Sequence, residues 1–251
     1  MDIKRFVRFA FEQHVGVGLV RDQEIVALAG QCFDPITETG QVFYLAKVRL
    51  LAPCEPTKIL AVGLNYRSHL GNRALPAEPG IFFKPISAIL DPEGTIVVPE
   101  GTTQCEFEGE LVIVIGKTAR HIKPSDAGQY ILGVTCGNDI SARDWQKGDL
   151  QWWRAKGSDT FAPFGPMIVQ GLNYDDLLLT SRLDGDIKQQ QRTSDLIFGV
   201  HEIVSFASQY LTLCPGDIIY TGTPGNTAVL TSGSTVEVEL EGVGALKNSV
   251  A

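Results

Sequence analysis

Acidic side chains recur at every second position in Glu106-Phe107-Glu108-Gly109-Glu110, and an apolar run, Leu111-Val112-Ile113-Val114-Ile115, follows directly. In an extended chain, residues two apart project from one face about 7 Å apart, so two such carboxylates can converge on one ion. A solvated strand edge produces the same alternation. A further acid stands in Val134-Thr135-Cys136-Gly137-Asn138-Asp139-Ile140-Ser141-Ala142-Arg143-Asp144, where Asp139 and Arg143 come just after an apolar strand pattern. A site built only of carboxylates suits a hard divalent cation such as Mg²⁺ or Mn²⁺, which keeps positions open for water and substrate. Three ionised acids gathered without a cation repel and raise one another's pKa, a conflict that a metal resolves.

Other residue types could work beside such a centre. His69 lies in the polar stretch Asn65 to Asn72, and an imidazole titrating near neutrality suits a general base; a lone histidine in a polar loop is as often simply exposed. Arg143, four residues after Asp139, can face the same side and clamp a substrate carboxylate, or pair with Asp144 or Glu110. Lys156 is a surface charge or a group that balances negative charge on a substrate oxygen. Thr223, in Thr221-Gly222-Thr223-Pro224, offers a hydroxyl, or marks a tight turn. Trp145, Trp152 and Trp153 fall within nine residues and fit a cover beside the centre, a contact between subunits, or a core.

The elements that must position these groups read as short strands joined by turns, with 26 glycines and 13 prolines between the β-rich runs. Residues 16–20 and 24–28 flank Arg21-Asp22-Gln23 as a hairpin. Leu51-Ala52-Pro53-Cys54-Glu55-Pro56 is a hinge, dividing a small N-terminal domain, 1–55, from a catalytic domain, 56–251. Ile59 to Gly63 is a buried strand running into the polar loop 65–72. Asp184-Gly185 turns a second hairpin, and Val236, Val238 and Leu240 alternate with glutamates as a half-exposed strand. Helical signals are few. Ser125 can cap a short helix through Tyr130, and Val200, Ile203, Val204, Ala207 and Leu211 form an apolar stripe ended by Pro215-Gly216. The class is mostly β (α+β), with a few short helices.

Composition narrows the function. The chain has 251 residues, 44% of them hydrophobic, and 21 basic against 29 acidic side chains give a net charge of −8. That balance disfavours nucleic acid as a partner. No run approaches the ~20 apolar residues that cross a bilayer, and Met1-Asp2-Ile3-Lys4-Arg5 leads into no secretory h-region. Five widely spaced cysteines with no Cys-x-x-Cys pair read as buried thiols in a reducing cytoplasm rather than a disulfide or zinc scaffold.

Six motifs stand in order: Leu64-Asn65-Tyr66-x-x-His69, Glu78-Pro79-x-x-Phe82-Phe83-Lys84-Pro85, Glu108-Gly109-Glu110-Leu111, Asn138-Asp139-x-x-Ala142-Arg143-Asp144, Lys156-Gly157-Ser158-Asp159-Thr160-Phe161, and Pro215-Gly216-Asp217-Ile218-Ile219-Tyr220-Thr221-Gly222-Thr223-Pro224. Together they resemble the fumarylacetoacetate hydrolase family across nearly the whole chain. The resemblance implies a mixed β-roll or sandwich behind a smaller N-terminal domain, assembled as a homodimer. It implies Mg²⁺ or Mn²⁺ on Glu108, Glu110 and Asp139, with Glu106 outside the ligand set, on an outer face or behind the ligands. It assigns His69 to water activation and Lys156 to oxyanion stabilisation, and it places Arg143, Gln146, Lys84 and Thr223 at the substrate. Many members carry a Glu three residues after the histidine; Asn72 stands there instead. The expected activity is metal-dependent hydrolysis of a C–C bond in an acylpyruvate-type diketo acid. Oxaloacetate decarboxylation and isomerisation of an unsaturated 2-oxo diacid use the same chelate and are the alternatives, with a non-catalytic binding homologue behind them.

Overall fold

A computed structural model describes residues 2–251. Strands dominate, and the longest helix, Val200–Tyr210, has 11 residues. Ten strands form the path of the main sheet, in the order Glu38–Tyr44, Glu24–Leu28, His14–Arg21, Lys4–Phe11, Ala162–Gln170, Ile131–Asn138, Gly109–Ile115, Ile218–Tyr220, Ile59–Gly63 and Gly80–Lys84. The first four of these are the N-terminal meander, and Lys4–Phe11 joins it to the rest by pairing antiparallel with Ala162–Gln170. A five-stranded sheet, Asp186–Arg192, Leu178–Leu183, Thr235–Leu240, Gly244–Val250 and Thr95–Ile96, packs against this one.

The apolar run after the glutamates explains the centre of the fold. Every residue of Gly109–Ile115 is buried, and the period of two sends its side chains into two cores. Val112 and Val114 pack with Phe107, Phe161 and Phe164. Leu111, Ile113 and Ile115 pack with Val200, Ile203, Val204 and Ala207 of the helix. Each such side chain contributes about 1.5–3 kcal/mol by leaving water, so this strand is tied to both halves of the interior.

Local patterns are realised with two differences. The 184–185 turn is a hairpin with positive φ at Asp184 and Gly185, 53° and 88°, as the mirror-image turn requires. In Thr235–Leu240 the valines and Leu240 are buried, while Glu237 and Glu239 share Arg182 at 2.7 Å each. Ser125 is not a cap: the short helix Pro124–Gln129 begins one residue earlier, and Ser125 Oγ turns to Asp126. A proline at the first position already fixes φ and removes an orphan N–H. The Val200–Tyr210 helix stops before Pro215-Gly216, because Leu213 exchanges backbone hydrogen bonds with Ala119 at 2.9 and 3.0 Å and draws the chain extended. The expected polar loop at 65–72 contains one helical turn, Arg67–Leu70.

Candidate active site

Strand register builds the acidic centre. Gly109 lies opposite Asn138 and Glu110 opposite Gly137. One step further, the Asp139 N–H donates to the Glu108 carbonyl at 2.9 Å, while the Glu108 N–H donates to Asn138 Oδ1 at 3.0 Å. Two segments distant in sequence are thereby clamped so that Glu108, Glu110 and Asp139, all buried, bring one oxygen each within 4.8 Å of one another. The residue between the two glutamates has no room for a side chain. A Cβ on Gly109 would stand 1.9 Å from Ser181 Oγ in the sheet packed against it.

Cations surround these acids unequally. Lys156 Nζ donates to Glu108 Oε2 and, at 2.6 Å, to Asp139 Oδ2. Lys84 Nζ donates to Asp139 Oδ1 and to the carbonyl of Lys156. Arg143 donates to Glu108 Oε1, to Glu106 Oε2 at 2.9 Å and to Gln146 Oε1 at 3.0 Å. Burial pushes the Glu108 carboxyl up, but Lys156 and Arg143 outweigh it and hold the group well below the usual carboxylate range. Burial likewise opposes charge on Lys156, yet Asp139 and Glu108 prevail and raise its pKa. Lys84 is lowered, burial outweighing the pull of Asp139.

Glu110 is different. It accepts the Gly222 N–H at 2.6 Å but has no cation paired to it among the described residues. Burial first, then Asp139 and Glu108, push its pKa far up. A buried acid with excess negative charge around it is the mark of a site that lacks a positive partner. Three carboxylates with convergent oxygens are the donor set that Mg²⁺ or Mn²⁺ takes, so these residues fit the ion. Gly222, with φ of 102°, supplies its N–H because a left-handed backbone turns it toward Glu110, and a Cβ there would press on Asn65.

A cavity of about 550 Å³ opens over this floor, lined by His69, Glu106, Glu108, Glu110, Asp139, Arg143, Gln146, Lys156 and Thr223 among others. His69 Nδ1 donates to the carbonyl of Gly225 at 2.7 Å, and Nε2 lies 3.6 Å from Glu108 Oε1. Asn72, the replacement for the expected glutamate, is exposed and makes no hydrogen bond with the imidazole. A backbone carbonyl has taken the orienting position.

Several residues differ from their expected posts. Lys84 was expected at the substrate; it is buried beneath Asp139 and outside the cavity wall, holding the acid in place. Thr223 reaches the wall, but its hydroxyl donates to the Gly109 carbonyl at 2.9 Å and accepts from Gln189 at 2.7 Å. It ties the loop to the strand. Glu106 faces the cavity rather than an outer surface, bound by Arg143 and Thr227. The tryptophans separate: Trp152 lines the cavity edge-on to Phe82, Trp145 packs on the core beneath Arg154, and Trp153 is 70% exposed. Gln104, Thr227 and Arg73 also line the cavity, unmarked by any spacing or motif in the sequence, and so does Lys147, which the sequence marks only by its place beside the tryptophans.

Comparison with known proteins gives the chain a family. Residues 58–251 match the family described as fumarylacetoacetate (FAA) hydrolase C-terminal, and residues 4–53 match one described as Rv2993c-like, N-terminal. The chain belongs to the fumarylacetoacetate hydrolase family, whose members include hydrolases, isomerases and tautomerases. Protein Rv2993c of Mycobacterium tuberculosis is 46% identical over 229 residues, 89% of this chain and 86% of its own length. Oxaloacetate tautomerase FAHD2A, mitochondrial, of Bos taurus is 36% identical, covering 98% of this chain and 80% of its own. The crystal structure of 2-hydroxyhepta-2,4-diene-1,7-dioate isomerase from Mycobacterium marinum superposes with a TM-score of 0.93 at 41% identity, over 99% of this chain and 98% of that one. Among the described residues, no helix is long and apolar enough to cross a membrane.

Proposed function

We propose that this chain interconverts the enol and keto forms of a short 2-oxo acid, as a tautomerase or isomerase, rather than hydrolysing a C–C bond. The observation that carries the reading is His69, oriented by the Gly225 carbonyl at 2.7 Å with no carboxylate behind it. A carbonyl only accepts, so Nδ1 carries the proton and Nε2 presents its lone pair to the cavity. Activating water, whose pKa is about 15.7 in bulk, is best served by a charge behind the base at Nδ1; the carboxylate nearest the ring, Glu108 at 3.6 Å from Nε2, stands instead on the reacting side and is committed to Lys156 and Arg143. An enol, or a carbon next to a polarised carbonyl, gives up its proton far more readily, and an imidazole alone suffices.

A divalent ion held by Glu108, Glu110 and Asp139 would supply Lewis-acid polarisation of the substrate's carboxylate and 2-oxo oxygens. The chain's own groups do the rest. Lys156, kept charged between Asp139 and Glu108, balances negative charge that develops on the substrate oxygen. Arg143, with the N–H that Glu106, Glu108, Gln146 and Thr227 leave free, and the Gln146 amide bind the acid end. His69 Nε2 takes the proton from the enol oxygen or from C3 and returns it at the other position, so atoms balance with no water consumed. The tautomerase and isomerase names of the relatives support this reading.

The experiment is proton exchange at C3 of oxaloacetate in D₂O with Mg²⁺-loaded protein, beside acetylpyruvate hydrolysis and pyruvate release. Enzyme-dependent exchange with no cleavage is the expected result. Cleavage of acetylpyruvate, or release of pyruvate from oxaloacetate, without faster exchange would overturn it.

A further inference from the structure

We propose that Arg73 and Lys147 form a second carboxylate-binding point at the mouth of the cavity and are the residues that set its preference for dicarboxylic over monocarboxylic 2-oxo acids; this rests on the reading of the floor as a 2-oxo acid site. Both side chains line the cavity and both residues are exposed. Each follows a residue of the inner wall by four positions: Arg73 after His69 beyond the Arg67–Leu70 turn, and Lys147 after Arg143 at the end of Arg143–Gln146. Two separate segments therefore deliver one cation each to the same opening.

Their freedom from partners distinguishes them. The other two cations of the wall are committed, Lys156 to Glu108 and Asp139, and Arg143 to Glu106 and Glu108. Arg73 and Lys147 make no ion pair and no side-chain hydrogen bond among the described residues; the Arg73 contact is its backbone N–H on the Leu70 carbonyl at 3.2 Å. In a chain with a net charge of −8, two unneutralised cations over an acidic floor form a local field that favours an anion entering the cavity. A monocarboxylic 2-oxo acid spends its single charge at the floor and leaves them unused. A diacid brings a second carboxylate outward, where the guanidinium fork and the ammonium can receive it.

The test compares ligands of one backbone length. Calorimetry on Mg²⁺-loaded protein measures 2-oxoglutarate, 2-oxopentanoate, which carries a methyl in place of the terminal carboxylate, and oxalate, which has only the chelating end. The native protein is expected to bind 2-oxoglutarate roughly tenfold more tightly than 2-oxopentanoate, the gain of one charge-assisted contact. In the double variant Arg73→Gln/Lys147→Gln that gap closes, while oxalate and 2-oxopentanoate stay within about twofold. Equal binding of the two acids by the native protein, a gap that survives in the double variant, or parallel loss of oxalate binding would overturn the proposal. The readout is independent of turnover. A gap that closes in a protein without C3 exchange supports the mouth and rejects the reaction; exchange in a protein without a gap does the reverse.

Discussion

His69 and Gly225 are joined by a hydrogen bond of 2.7 Å from Nδ1 to a backbone carbonyl. The bond fixes one tautomer through a neutral partner, and the carboxylate nearest the ring, Glu108, stands 3.6 Å from Nε2 on the other side. Replacing His69 by Ala is expected to lower kcat for C3 exchange by about 10²–10³-fold with little change in KM, the usual contribution of a positioned base. Steady-state kinetics with a circular dichroism check of the fold measures this. Full activity in the variant would remove His69 from the reaction.

Glu110 is the acid without a cation. Glu110→Gln keeps an acceptor for the Gly222 N–H but removes one anionic metal donor. Calorimetry on chelator-stripped protein is expected to give an Mn²⁺ affinity at least about tenfold weaker. Without metal, the thermal midpoint of the variant is expected to stay close to that of the native chain, because burial, Asp139 and Glu108 already oppose charge on Glu110 and a neutral amide takes its place. Unchanged Mn²⁺ affinity would refute the ligand assignment.

Gly109 and Ser181 belong to two different sheets that touch at the residue between the two glutamates. Gly109→Ala is expected to destabilise by about 1–3 kcal/mol through overpacking. Ser181→Ala alone should be near neutral, since its buried Oγ lacks a hydrogen-bond partner. In combination the two should cost less than the sum of the single changes, as contacting residues do. Urea unfolding of the four proteins decides it, and strict additivity would contradict the packing.

Four of the five thiols are buried and unpaired, with Cys214 partly exposed. Burial pushes Cys32, Cys105 and Cys136 up to about 12. An unfolded chain ionises its thiols near about 8.5 while the folded chain keeps these neutral, so their contribution is fully present below that pH and is lost as pH rises toward 12. A disulfide-type thiol reagent at pH 8 is expected to react quickly with one thiol at most, and with all five after denaturation. The urea midpoint should fall between pH 9 and 11, and fall less in Cys136→Ala. Fast labelling of several native thiols would contradict the burial.

Much of this site is legible in the chain because alternation and strand pairing are local rules. Glu106, Glu108 and Glu110 face one cavity as residues two apart in an extended segment must. Asp139 joins them through cross-strand register, which the Asn138-Asp139 motif marks but spacing cannot derive. The jobs of Lys84 and Thr223 were not legible, since the neighbours that occupy them, Asp139 and the Gly109 carbonyl, come from other strands. Asp217 of the Pro-Gly-Asp motif is likewise a structural anchor. It is fully buried and accepts backbone N–H groups from Thr57, Lys58 and Cys214 at 3.0, 3.1 and 2.6 Å. Arg73 and Lys147 follow short turns whose direction is set by tertiary contacts; Arg73 carries no local signal, and Lys147 only its nearness to the tryptophans.

The segment Gly109–Ile115 holds one ligand and supplies side chains to both halves of the interior. Any change that loosens the ion-binding floor therefore disturbs both cores, whereas the entrance above it is carried by the short turns Arg67–Leu70 and Arg143–Gln146. Descendants of one ancestral chain could thus exchange the residues around the entrance, and with them their choice of acid, while inheriting the floor intact.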